Sequence, residues 1–144
     1  MLKAEIRKRK PLAVGISSGK VGGSSHIPLM DFDRHLTFYR MFELAKYSQV
    51  NKLGSIRIIL TPNGYHLYFL SVLVPFKKYL KMLRDLGADK KFISHVALTG
   101  YGTLRISPYA GIRTKPFKDG GYIKGWEKKT PQGEIIDKIL DRVV

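Results

Sequence analysis

Two aspartates, Asp31 and Asp33, stand one residue apart at the end of the apolar run Ile27-Pro28-Leu29-Met30, in a chain with 26 Lys+Arg and only 11 Asp+Glu. On a strand, residues i and i+2 project from one face, so the two carboxylates share a side while Phe32 points the other way, into a core. Like charges held this close repel, and a divalent cation beside them removes the repulsion. A metal held by such a pair orients a phosphate chain and neutralises the charge that develops in an in-line displacement. The chain has 0 Cys, which leaves Asp, Glu, His and backbone oxygens as ligands, a set suited to Mg²⁺ or Mn²⁺. The structural alternative is that Asp33 caps a following helix and Asp31 is its surface neighbour.

Two further pieces carry polar chemistry. His66 follows the turn Thr61-Pro62-Asn63-Gly64 at the start of an apolar strand. Its imidazole can donate a hydrogen bond to a phosphate oxygen, or it is an exposed strand histidine. Arg105 and Ser107 alternate on one strand face, with Lys115 beyond. They offer a rigid fork and a hydroxyl to phosphates, or they form a solvated basic edge.

The elements that must position these residues are legible in outline. The chain of 144 residues is long enough for one domain with a core, spanning 1–144. A hairpin is expected over residues 2–17, and Ser17 to Ser25 reads as a Gly/Ser-rich loop. A buried strand runs from His26 to Phe32, followed by a helix over 34–50 with Leu36, Tyr39, Met41, Phe42 and Leu44 at near-helical spacing and Asp33 able to cap it. Asn-Gly joins strands 55–60 and 65–73 as a hairpin. A second amphipathic helix starts at Pro75 and stops at Gly87. Residues 91–98 fit a short strand or a helical continuation, and 103–109 a further strand. Residues 110–133 read as a long basic, aromatic loop with one hairpin. A last helix carries Ile135, Ile136, Ile139, Leu140 and Val143 on one side. Strands interspersed with helices, one pair joined locally, predict an α+β domain with a mixed or antiparallel sheet.

The formal charge of +15 attracts polyanions, because each phosphate neutralised releases counterions. Nucleic acid is therefore the leading partner. In the segment 113–129, Phe117, Tyr122 and Trp126 alternate with lysines, a pattern that stacks bases while neutralising phosphates; Arg113, Lys118, Tyr122, Lys124 and Trp126 are its candidates. The same aromatics could instead pack beneath the loop. No apolar run approaches the roughly 20 residues of a membrane span, and the N-terminus has no signal-peptide core. The expectation is a soluble, cytoplasmic protein without membrane contact.

Taken in order, Pro28-Leu29-Met30-Asp31-Phe32-Asp33, Asn63-Gly64-Tyr65-His66-Leu67-Tyr68-Phe69 and Leu104-Arg105-Ile106-Ser107-Pro108 resemble the motifs of the archaeo-eukaryotic primase superfamily, including the small primase-polymerases of plasmids and viruses. The resemblance spans about residues 27 to 115. It implies an RRM-like sheet with helices packed on one side, whose open face holds metal, nucleotide and template. It also implies DNA primase or polymerase-like nucleotidyl transfer in replication. Asp31 and Asp33 would be catalytic and metal-binding. His66, Arg105, Ser107 and Lys115 would grip a nucleoside triphosphate, with single-stranded DNA or a primer-template as partner. The family's third acid lies upstream of the last motif, where Asp85 and Asp89 are the nearest acids; Asp89 is the candidate third carboxylate. Ser94 and His95 stand closer to the expected place, and Ile112 or Arg113 replaces the family's terminal histidine. The alternative keeps the fold without the chemistry, as a basic nucleic-acid-binding protein. A metal-dependent nuclease is a third possibility, without a further acid or lysine base arranged for it.

Overall fold

The structure, a computed structural model, describes residues 15–106 and 117–144. In chain order the elements are β1 (Gly15–Ser17), β2 (Leu29–Phe32), α1 (Phe38–Val50), β3 (Ile56–Leu60), β4 (Tyr65–Phe69), α2 (Phe76–Leu86), α3 (Lys90–Thr99), β5 (Thr103–Arg105), β6 (Lys118–Ile123) and α4 (Pro131–Val143). The domain is α+β, as the alternation of patterns predicts. Its main sheet has the order β2-β4-β3-β6 with every pairing antiparallel, and β1 pairs with β5 in a separate two-stranded ribbon. The second strand of the predicted N-terminal hairpin thus pairs with β5; the first strand lies outside the described residues.

The strand centre explains the burial. All five residues of β4 are buried, as expected for an inner strand covered on both faces. Phe32 pairs with Tyr65, and their rings stack at 4.6 Å. Arg40 of α1 lies over the Phe32 ring at 5.3 Å and donates to the Tyr65 hydroxyl, which puts α1 on this face. The opposite face carries Asp31, His66, Tyr68 and Arg57, because directly opposed residues share a face. Here α4 covers the β3–β6 end: Asp137 and Asp141 both accept from Arg57, at 2.6 and 2.8 Å. Helices therefore pack on both faces, which corrects the expectation of helices on one side. The reason is the buried cation Arg57, which must be paired to stay buried and draws the acidic helix onto the sheet.

Local signals agree in several places. The β3–β4 turn closes with Thr61 N donating to Gly64 O at 3.0 Å. α2 stops at Gly87, which adopts a left-handed φ of 68°. Others differ. α1 starts at Phe38 with Thr37 as its cap, the hydroxyl accepting from Arg40 N at 3.1 Å, so Asp33 is not the capping residue. Phe38, Tyr39 and Phe42 face outward, while Leu44 and Ser48 are buried. Residues 90–99 form a separate helix, capped by Asp89, whose carboxylate accepts from Phe92 N at 3.2 Å. Residues 118–123, read as loop, are an edge strand of the main sheet. In α4 the buried residues are Gly133, Ile136, Asp137 and Leu140, while Ile135 stays 60% exposed. Among the described residues no helix is long and apolar enough to cross a membrane.

Candidate active site

The ladder between β2 and β4 sets Asp31 directly opposite His66, and Asp31 Oδ1 lies 3.4 Å from His66 Nε2. The β3–β4 turn reaches the same spot because Gly64 has no side chain: a Cβ there would collide with the Phe32 carbonyl oxygen. The residue that allows the tight turn thus also seats it against the Asp31-Phe32-Asp33 segment. On the other side of β2, Asp89 N donates to the Asp31 carbonyl at 2.8 Å, so the α2–α3 junction is stitched to the outer edge of this strand.

These contacts shape a cleft of about 480 Å³. Asp31, Asp33 and Asp89 bring three carboxylates to it, and His66, Lys91 and Arg105 bring its basic and imidazole groups. Phe117 forms a wall, edge-on to the His66 ring at 5.6 Å, and the Arg105 guanidinium lies over the Phe117 ring at the same distance. His66 is only 6% exposed, and its Nδ1 is buried without a hydrogen-bond partner. It is therefore not an exposed strand histidine. Beneath it Tyr68, fully buried, also lacks a partner for its hydroxyl. Burial, with the nearby Asp31 charge, pushes the Tyr68 phenol well above its usual value, so it stays protonated.

No Lys or Arg among the described residues lies within ion-pair distance of the Asp31 or Asp33 carboxylates. The three aspartates do not make a closed cage: among the described residues no group of three acidic or imidazole side chains is gathered tightly enough to hold a metal ion by itself. Mg²⁺ and Mn²⁺ seldom need one, since one or two carboxylates, waters and substrate phosphates complete their shell. Asp31, Asp33 and Asp89 are oxygen donors of the type hard cations take.

The other sequence candidates are dispersed. Ser107, Arg113 and Lys115 lie outside the described residues. Ser94 and His95 are exposed on α3 and do not line the cleft. Lys118 borders a neighbouring groove with Thr61 and Pro62. Tyr122 is engaged with the structural network, its hydroxyl donating to Asp137 at 2.8 Å and its ring beneath Arg57 and Lys129. Burial and the Asp137 bond push its phenol up to about 12. Trp126 is 95% exposed, beside Lys124 at a shallow groove against α1. Lys91 and Asn63 of the cleft escape the sequence reading. Asn63 could have been found from the turn's closeness to His66, but nothing local marks Lys91. No protein-family model matches the chain, and neither a curated protein nor a solved structure does.

Proposed function

We propose that the cleft binds a nucleoside triphosphate with Mg²⁺ or Mn²⁺ and carries out primase- or polymerase-like nucleotidyl transfer on a nucleic-acid strand. The observation that carries the reading is the convergence of Asp31, Asp33, Asp89, His66 and Arg105 on one cleft. These residues come from separate elements, and their order along the chain is that of the motifs resembling the primase superfamily. The β2-α1-β3-β4 run, with β2 and β3 flanking β4, supports the same assignment.

When bound, the cation supplies orientation of the phosphates and neutralises charge developing on them. Asp31 and Asp33 would hold it, with Asp89 at the far wall. The chain's own groups do the rest. Arg105 and Lys91 neutralise the triphosphate, and His66, fixed by the ladder, donates a hydrogen bond to a phosphate oxygen. Phe117 keeps water from that side. The priming hydroxyl would attack the α-phosphorus in line; the new O–P bond forms as the bond to pyrophosphate breaks, and the hydroxyl proton passes to water. Incorporation of labelled nucleotide on single-stranded template with Mn²⁺ tests this: it should disappear in Asp31→Ala, and activity that survives removes the mechanism.

A second reading, binding without chemistry, draws on the absence of a preformed three-ligand group among the described residues. It predicts oligonucleotide binding that weakens steeply with salt but ignores Asp31→Asn and divalent ions.

A further inference from the structure

The outer face of α2 is a line of cations that runs to the cleft. Tyr79, Met82, Leu83 and Leu86 are its buried side. Lys77, Lys81 and Arg84 stand at i, i+4 and i+7, on the solvent side nearly opposite. The one acid of this helix, Asp85, is taken up by Lys81 at 2.7 Å. Lys77, Lys78 and Arg84 have no carboxylate within ion-pair distance among the described residues.

Shared walls make the path continuous. Arg84 lines a groove with Lys77, Lys78 and Lys81, and also a second groove of about 500 Å³ with Arg34 and Lys90. That second groove shares Asp33 and Asp89 with the catalytic cleft. Arg34 is pinned across the passage by donating to Gly87 O at 3.2 Å. The route runs from α2 over the Gly87 turn and the start of α3 into the site.

We propose that this track holds the phosphodiester backbone of a nucleic-acid strand and leads its end into the Asp31–His66 cleft. The proposal rests on the nucleotidyl-transfer reading of that cleft and adds where the strand enters. It places the entry on the α2–α3 side, away from Lys124 and Trp126.

The shape and chemistry of the track select the partner. Eleven residues of α2 span about 16 Å, the length of a few successive phosphates of one strand. The stripe has no exposed aromatic, so it grips phosphates without reading or stacking bases. A helix that docks on an anionic membrane sets bulky apolar residues beside its lysines; here those residues are turned inward. A second copy of a chain with charge +15 would be repelled.

The test is the combined variant Lys77→Gln, Lys81→Gln, Arg84→Gln, compared with Lys124→Gln, Lys128→Gln, Lys138→Gln on the opposite flank. Binding of a labelled single-stranded oligonucleotide is followed by fluorescence anisotropy over a salt series, without metal or nucleotide. The α2 variant should bind about tenfold more weakly or worse, with the slope of log K against log[salt] reduced by about 2 to 3. The flank variant should move both much less. Equal losses in the two variants, an unchanged slope in the α2 variant, or loss confined to binding of phosphatidylserine vesicles would each overturn the track. Because the chain has no cysteine, a cross-linker on Lys81→Cys reports alone; it should capture internal positions of the strand, and capture of its terminus or of nothing contradicts the path. These readouts need no catalysis, so an inactive cleft and a misplaced track fail separately.

Discussion

At the β3–β6 end of the sheet, Asp137 and Asp141 reach from α4 to the fully buried Arg57, Asp119 approaches it from β6 at 3.3 Å, and Lys129 closes on Asp137 at 2.6 Å. At the β2–β4 end of the same face, Asp31 has only the His66 ring nearby and Asp33 has no cation in reach among the described residues. In the first set every carboxylate has a cation of the fold within ion-pair distance, although Arg57 Nε and Nη2 are buried without a hydrogen-bond partner. Arg57 is held above its normal value even though burial pulls it down, because the bonds to Asp141 and Asp137 outweigh that pull. In the second set no Lys or Arg among the described residues lies within ion-pair distance of the carboxylates; under the proposed function this is where a metal and a nucleotide would bind. One sheet face thus carries carboxylates paired within the fold at one end and, at the other, carboxylates that the proposed function assigns to a ligand.

The comparison breaks most sharply at Asp31. Asp31→Ala should lower nucleotide incorporation by about 10²-fold or more while changing the melting temperature little, since its carboxylate meets only the His66 ring, at 3.4 Å, and no Lys or Arg among the described residues. A large loss of stability would mean that Asp31 belongs to the structural set. Asp137→Ala should do the reverse: about 3 kcal/mol of stability lost in denaturant unfolding, because Arg57 is left with less compensation, and no change in metal or nucleotide binding by the folded protein.

Acid titration sharpens the same contrast. Burial alone would raise the Asp137 carboxyl, but hydrogen bonds from Lys129, Arg57 and Tyr122 hold it below its ordinary 3.8. The folded state then binds fewer protons than the unfolded chain in the acid range. The stability it contributes is complete above the ordinary carboxylate value and is lost as pH falls through the lowered one. Unfolding midpoints of wild type should therefore drop in that window more steeply than those of Asp137→Asn. The smallest effect is at the start of α1. Thr37→Ala should cost about 1 kcal/mol, whereas Asp33→Ala costs little, and the opposite ranking would restore Asp33 as a cap.

What the sequence disclosed and what it hid follow from the range of the interactions. The Asn63-Gly64 turn, the Gly87 stop and the facing of Asp31 and Phe32 depend on neighbours a few residues away, and they read correctly. The helix start did not, because Asp33 and Thr37 are both good caps and the choice depends on the path of the chain between the end of β2 at Phe32 and Phe38. β6 escaped because Gly120 and Gly121 erase its alternation and its partner β3 is far away in sequence, with a register shift at Ile58/Ile59. Arg57 carries no local mark of its role; only α4, arriving from the other end of the chain, gives it its carboxylate partners. His66 and the acids were visible as residue types, but Lys91 and the walls of the cleft required the fold.

The most direct test is manganese binding followed by electron paramagnetic resonance, with a non-hydrolysable nucleoside triphosphate, on wild type and on Asp31→Asn, Asp33→Asn. The account predicts that wild type takes up Mn²⁺ together with the nucleotide and that the double variant, equally stable, does not. Equal uptake by both proteins, or none by wild type, would contradict it.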